Sequence, residues 1–261
     1  MPNKKYFIMD NHCHIGKSNL LIRTSDIKSG FFSCEDAIKY MDEAEVTACC
    51  AFPTSAQNTD YRETNEYILE GAKKYPKRII PYARMNPYFT DTVVSDVAEY
   101  AKRGIKGLKF HPFLDGAYPA NDRRLVYPII EEAAKHNLLC IFHSGDAWNA
   151  TPGLIADLAL DFPNVKFIIA HSGMYGFHME ALAWAKRIKN LYLDTTELIP
   201  PYWVKACVEA AGRDRVLFGS DIPYIPYSNE INKILNCAGL DEITIEAVLG
   251  KNLASLLEYD Y

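Results

Sequence analysis

Eight short, nearly continuous apolar runs divide the chain at regular intervals, at residues 7–15, 46–54, 79–87, 105–112, 138–146, 165–174, 191–197 and 216–224. Such runs suit parallel strands covered by helices on both faces. The stretches between them, at 34–45, 61–75, 91–103, 124–136, 153–160, 177–189 and 202–211, space their apolar residues at helical intervals. Proline or glycine marks several joins, as at Tyr75-Pro76, Arg103-Gly104, Phe162-Pro163 and Ala211-Gly212. Helical patterns continue after the eighth run, at 228–237, 243–249 and 252–259. Eight strand–helix units in 261 residues predict an α/β fold, a single TIM (β/α)8 barrel domain over residues 1–261. The competing arrangement is an open, doubly wound sheet, which favours a glycine-rich phosphate loop after its first strand. Here the first run ends in histidines.

Composition narrows the partners. Hydrophobic residues make up 49% of the chain and charged residues 23%, which supports one sizeable core. The net charge is -5 and no basic cluster occurs, so neither a nucleic-acid nor an anionic-membrane partner is expected. No apolar run approaches the roughly 18 residues that span a bilayer. The opening MPNKKYFIMD carries two lysines but no long apolar segment, so no signal peptide is expected. Seven scattered cysteines without a CxxC fit reduced, buried thiols and a cytoplasmic protein.

In a barrel of this kind, reactive groups sit at the C-terminal ends of the strands. The first run ends His12-Cys13-His14 and the fourth Lys109-Phe110-His111-Pro112. The fifth ends Phe142-His143-Ser144-Gly145-Asp146, the sixth Ala170-His171-Ser172-Gly173, and the eighth Gly219-Ser220-Asp221-Ile222-Pro223. Five of the seven histidines therefore lie at strand ends. With a side-chain period of two, His12 and His14 share a face while Cys13 turns to the helix layer as a packing residue. His143, His171 and Asp221 approach the same axial region from other strands. Neutral imidazoles and a carboxylate suit zinc or a neighbouring first-row metal. Taken singly, each residue has a simpler reading: an HxH pair occurs by chance, a lone strand-end histidine is usually a hydrogen-bonded core residue, and Asp221 can cap a helix. In the order HxH…H…H…D, each at a strand end, they predict a metal site.

This order of motifs resembles the amidohydrolase superfamily, and within it the amidohydrolase-related family that includes aminocarboxymuconate semialdehyde decarboxylase-like enzymes. The resemblance runs from Asp10-Asn11-His12-Cys13-His14 to Leu249-Gly250-Lys251-Asn252-Leu253-Ala254-Ser255-Leu256-Leu257. Between them lie Tyr82-Ala83-Arg84-Met85-Asn86-Pro87, Gly107-Leu108-Lys109-Phe110-His111-Pro112, Ile169-Ala170-His171-Ser172-Gly173 and Leu217-Phe218-Gly219-Ser220-Asp221-Ile222-Pro223. It implies a barrel of the metal-dependent hydrolase type, in which His12, His14, His143 and Asp221 bind one divalent ion, with zinc expected. His171 would stand beside that ion, as a catalytic group or as a ligand of a second metal. Lys109 occupies the strand end where some members carry a carbamylated lysine bridging two metals. The same KxHP pattern occurs in this branch without that modification, and one ion is favoured over two. A homodimer formed through outer helices is a further expectation of the resemblance.

The chemistry then expected uses a water made acidic by the ion. Asp221 would take its proton and pass it to the leaving group, while His171 polarises the substrate or steadies developing charge. Arg84 either holds a substrate carboxylate or forms an intra-barrel ion pair. Lys109 and His111 share a face by strand period and either can contact a small-molecule substrate. Phe52, Phe113, Tyr118, Trp148, Tyr175, Tyr224 and Tyr227 fall in or near the loops after strands, as pocket walls or as local packing. The leading expectation is hydrolysis of a C–N or C–O bond in a small, carboxylated molecule. The alternative is non-oxidative decarboxylation on the same scaffold. A non-catalytic ligand-binding barrel ranks below both, because it has no need of Asp221 beside the histidines.

Overall fold

Strand pairing is continuous through the computed structural model, which describes residues 6–18, 30–54 and 60–260. Residues 1–5, on which the signal-peptide expectation partly rests, lie outside the described residues. The strands are β1 (Met9–Lys17), β2 (Phe31–Phe32), β3 (Ala48–Pro53), β4 (Ile79–Arg84), β5 (Gly107–Phe110), β6 (Leu139–Phe142), β7 (Phe167–Ile169), β8 (Leu191–Asp194) and β9 (Val216–Leu217). The helices between them are α1 (Cys34–Glu43), α2 (Arg62–Lys74), α3 (Val93–Lys102), α4 (Tyr127–Lys135), α5 (Pro152–Asp161), α6 (His178–Arg187) and α7 (Tyr202–Ala211). Beyond β9 come α8 (Tyr227–Asn232), α9 (Glu242–Glu246) and α10 (Asn252–Leu257).

Every one of the eight apolar runs contains a strand, and these strands pair in parallel in chain order from β1 and β3 to β9. The sequence carried no expectation of β2, a two-residue strand antiparallel to the end of β1. Closure is made by the backbone beyond β9. The Asn11 N–H donates to the Phe218 carbonyl (2.9 Å), the His14 N–H to the Ile222 carbonyl (2.8 Å), and the Asp221 N–H to the His12 carbonyl (2.9 Å). The first and last strands are thereby joined, which decides for the barrel over the open sheet.

Alternation along each strand builds two apolar layers. Met9, Ala48, Cys50, Phe52, Ile80, Tyr82, Leu139, Ile141, Ile168 and Leu217 form the inner one, with Leu253 and Ala254 of α10 packed against it. The residues of opposite parity, such as Ile79, Ala83, Leu108, Cys140, Phe167 and Leu193, meet the helices. Cys13 belongs to this outer layer, as expected of a packing residue. Each fully buried Leu, Ile, Val, Phe or Met of these layers contributes about 1.5–3 kcal/mol of hydrophobic stabilisation. The six cysteines whose side chains are described are buried free thiols. No described helix is long and apolar enough to cross a membrane.

Local signals fit the elements. Ser33 caps α1 in a capping box: its side chain accepts from the Asp36 N–H, and the Asp36 carboxylate accepts from the Ser33 N–H. Pro152 opens α5, where a missing N–H costs nothing. The helices expected at 243–249 and 252–259 appear as α9 and α10, joined by a wider turn over Ala247–Lys251.

One departure from simple alternation matters for the site. Asp10 pairs with Cys49 and Cys13 with Ala51, so β1 uses three steps where β3 uses two. The extra residue is a β-bulge. Because of it, Met9 and His14 both face inward, opposite Ala48 and Phe52, although five positions apart. A strict period of two would put them on opposite faces.

After β6 and β7 the chain turns twice at close range. Gly145 has φ +94, and a Cβ built there would lie 2.4 Å from the Gly173 carbonyl carbon. Both the left-handed backbone and the contact demand glycine. Gly145→Ala is expected to cost about 2 kcal/mol or more, read as a lower urea midpoint with unchanged slope.

Candidate metal centre

Three side chains converge on one point inside the mouth of the barrel. His12 and His14 reach it from β1, re-aimed by the bulge, and Asp221 from the turn after β9. His14 Nε2 lies 3.0 Å from Asp221 Oδ1 and His12 Nε2 lies 3.2 Å from the same oxygen. All three side chains are buried. One donor atom from each falls within 4.8 Å of the others, a set able to hold a metal ion. Two donors on one ion with bonds of about 2.0–2.2 Å stand about 2.8–3.6 Å apart as the angle between them widens from octahedral to tetrahedral, and the two distances given above fall in that range. The residues therefore fit a divalent cation.

The electrostatics fit it too. Burial alone would raise the Asp221 carboxyl, yet the hydrogen bonds of His12 and His14 hold it well below the usual carboxylate range. Burial and Lys109 work against charge on His12, but Asp194 and Asp221 outweigh them and its pKa is raised. Burial lowers His14 to about 3. Negative charge at Asp221 thus draws positive charge to this point, and a bound cation would displace the proton.

Each ligand is held from behind. The Asp194 carboxylate at the end of β8 accepts from His12 Nδ1 at 3.0 Å, leaving Nε2 to face Asp221. Its other oxygen accepts the backbone N–H groups of His171 (2.7 Å) and Thr196 (3.2 Å). The Pro53 carbonyl lies 3.4 Å from His14 Nδ1. Phe52 packs edge-on against both rings and Tyr224 against His14. Asp10 clamps the backbone beneath, accepting from the N–H of His12 (2.8 Å), the N–H and hydroxyl of Ser220 (3.0 and 2.6 Å) and the hydroxyl of Tyr227 (3.0 Å). The sequence reading missed Asp194, which lies within the seventh run at 191–197 and closes the strand that forms there.

The other expected residues divide. His171 stands beside the centre, its ring centroid 4.9 Å from that of His12. Both its ring nitrogens are buried and make no hydrogen bond among the described residues, while Glu197 Oε2 lies 3.7 Å from Nδ1. The backbone at His171 (φ +59) and Asp221 (φ +65) is left-handed, a strained state that clusters at working sites. His143, expected to complete the ligand set, stacks on His111 (3.8 Å between centroids) and groups with His111 and Asp146. It follows β6, and its ring centroid also lies 4.6 Å from that of His171.

Lys109 is wholly buried, with Nζ 3.2 Å from His12 Nε2 and 4.7 Å from the centre of the Phe52 ring. Burial pushes it down to about 7, against the pull of Asp221 and Asp194. Of the two roles open to Arg84, the structure contains the ion pair. Its Nε and Nη2 donate to Asp115 (3.2 and 3.0 Å), Nη1 donates to the Thr54 carbonyl (3.2 Å), and the guanidinium lies over Tyr61. Tyr61 adds its hydroxyl to the same carboxylate at 2.6 Å. Among the loop aromatics, Tyr118 and Tyr227 are core residues, whereas Phe113, Trp148 and Tyr175 are exposed. Asp115→Asn would leave a buried guanidinium uncompensated and is expected to cost about 3–5 kcal/mol. Chemical denaturation would measure it, and the double variant Arg84→Met/Asp115→Leu should recover part of the loss.

A family model described as amidohydrolase matches residues 24–258. None of the curated proteins matches the chain by sequence. Among solved structures, 5-carboxyvanillate decarboxylase from Sphingomonas paucimobilis is similar with a TM-score of 0.77 at 14% identity, covering 97% of this chain and 99% of that one. A dihydroxybenzoic acid decarboxylase from Polaromonas, solved with bound manganese and the inhibitor 2-nitroresorcinol, gives 0.77 at 16%, covering 97% of both chains. A protein from Acinetobacter baumannii described as a probable 2-pyrone-4,6-dicarboxylic acid hydrolase gives 0.72 at 15%, covering 96% of this chain and 99% of that one. At these identities the likeness is one of fold.

Proposed function

The chain belongs to the amidohydrolase family, and on that footing we propose that it is a divalent-metal-dependent hydrolase of a small, carboxylated molecule, cleaving a C–N or C–O bond. The observation that carries this reading is the convergence of His12 Nε2 and His14 Nε2 on Asp221 Oδ1, at 3.2 and 3.0 Å in a buried pocket. His12, His14 and Asp221 would hold the ion. Imidazole and carboxylate donors in a buried setting favour zinc among the first-row metals. When bound there, the ion supplies Lewis acidity and a nucleophile at neutral pH.

The residues of the chain supply the rest. Asp221 takes the proton of the attacking water and returns it to the leaving group. Asp194 holds His12 in the tautomer that turns Nε2 inward, the outer-shell role that fixes ring orientation. His171 offers a ring nitrogen, uncommitted to any described hydrogen bond, to the substrate oxygen on which charge develops. Phe52 and Tyr224 exclude water from one side of the histidine pair. Arg84 is already neutralised by Asp115, so the substrate carboxylate is assigned to the histidine-lined part of the mouth.

Non-oxidative decarboxylation of an unsaturated or aromatic acid is the second reading. It is favoured by the likeness of fold to the two decarboxylases above.

The deciding test is a screen of lactones, amides and aromatic acids, with carbon dioxide release followed separately. Water incorporated into the product supports hydrolysis; carbon dioxide without added water overturns it in favour of the second reading. Asp221→Asn should lower kcat by about 10²–10⁴-fold in a folded protein. Undiminished turnover would remove Asp221 from the proton relay. Asp194→Asn is expected to weaken zinc affinity about 10–100-fold, measured by competition with a chromogenic chelator.

A further inference from the structure

The N-terminal end of the barrel, opposite the metal centre, is basic. Lys166 stands just ahead of β7, Tyr192 within β8 and Arg215 just ahead of β9. Tyr192 pairs with Ile168, and Leu193 with Val216, so the register sets Tyr192 beside Arg215. Lys166 has the parity of Ile168 and Arg215 that of Leu217, both residues of the inner layer. Helix α10 borders these three with Asn252, Ser255 and Leu256, and a cavity of about 340 Å3 lies between them. Lys166 and Tyr192 also line a second cavity of about 500 Å3, with Leu160, Pro163, Arg187 and Lys189. Both volumes fall in the range of small-molecule sites, about 300–1,000 Å3.

Hydrogen bonds fix the walls. Asn190 Nδ2 donates to the carbonyls of Ala159 (3.0 Å), Phe162 (3.1 Å) and Val165 (2.8 Å), holding the turn after α5. Asn252 Nδ2 donates to those of Arg213 (2.7 Å) and Val216 (2.8 Å), holding α10 to the start of β9. Arg215 Nη1 donates to the carbonyls of Ile188 and Leu191, each at 2.8 Å, and its Nη2 to that of Ala211. A guanidinium has five N–H groups, and the Nε–H of Arg215 has no partner among the described residues. Burial lowers the pKa of Arg215, with the Tyr192 phenol pulling the other way. Among the described residues no carboxylate pairs with Lys166, Arg187, Lys189 or Arg215. The one acid among the described lining residues, Asp214, is exposed and lies 3.6 Å from Arg213. Arg187 also complements the end of α6, but Lys166, Lys189 and Arg215 belong to no α-helix.

We propose that this groove binds an organic phosphate. The phosphate sits where the two cavities meet at Lys166 and Tyr192, between Arg215 on one side and Lys189 on the other. An apolar or aromatic body lies along Leu160 and Pro163. Cations without acidic partners, in a chain of net charge -5, select an anion of more than one charge, and a guanidinium with N–H to spare suits phosphate oxygens. Leu160 is 57% exposed, an apolar wall that inorganic phosphate would leave uncovered. The site lies at the other end of the barrel from His12, His14 and Asp221 and does not depend on the function proposed above.

Phenyl phosphate is the probe, titrated calorimetrically into the full chain with chelator present, so that no ion at the barrel mouth can bind the phosphate. The expected result is binding with a Kd below about 1 mM. Lys166→Ala/Lys189→Ala should weaken it about tenfold or more, and Lys166→Arg/Lys189→Arg should retain it. Lys166 is partly exposed and Lys189 exposed, so neither variant burdens folding; circular dichroism checks this. Inorganic phosphate should bind about tenfold more weakly, having nothing to place on the apolar wall. No binding of phenyl phosphate up to about 10 mM, or the same affinity in Lys166→Ala/Lys189→Ala, overturns the proposal. Equal affinity for inorganic phosphate overturns the ligand class. So does a single-stranded oligonucleotide that binds where phenyl phosphate does not, which would make the groove a surface for a polyanion.

Discussion

The Asp221 N–H donates to the His12 carbonyl at 2.9 Å, and the candidate site depends on that bond. It is one of three backbone hydrogen bonds that join the first strand to the last. Without them His12 and Asp221, 209 positions apart by their numbering, have no reason to meet. Closure of the sheet and assembly of the candidate metal ligands are therefore one event. The same seam carries Asp10, whose carboxylate gathers donors from β1, from Ser220 and from Tyr227. A buried carboxyl is costly unless it is hydrogen-bonded; burial raises the pKa of Asp10, while the Ser220 hydroxyl, the His12 backbone and the Tyr227 hydroxyl pull against that rise.

Carboxylates organise this barrel mouth more than cations do. Asp194 orients His12 and the backbone of His171; Asp115 occupies Arg84 and Tyr61; Asp221 receives both histidines of β1. Each sits where burial would penalise its charge and each gathers donors that offset the penalty. The arrangement leaves imidazole nitrogens, and not hydrogen-bonded acids, as the groups with unused capacity. His171 and His143 both hold buried ring nitrogens without a described hydrogen-bond partner. The four centroid steps from His14 through His12, His171 and His143 to His111 are 5.2, 4.9, 4.6 and 3.8 Å. Five imidazoles thus line the mouth in contact, an environment suited to cations and to the anionic groups that cations bind.

By itself the sequence determined the architecture. Parallel strands buried on both faces leave an apolar run that needs no tertiary knowledge to recognise, and all eight runs hold a strand. It also located the candidate site, because reactive residues in such a fold follow strand ends; His12, His14, His171 and Asp221 are found together there. Only the tertiary structure decided how these residues are shared out. Nothing local to Phe142-His143-Ser144-Gly145-Asp146 says that His143 stacks on His111, since that contact comes from the register of two strands. Arg84 looked equally suited to a ligand or to a partner until Asp115 arrived from a loop 31 residues on. The bulge that turns His12 and His14 inward is likewise invisible in the alternation, for it is defined by the count of residues on β3. Strand identity follows from side-chain hydrophobicity along the chain, whereas ligand sets follow from register between strands, which is settled only when the barrel closes.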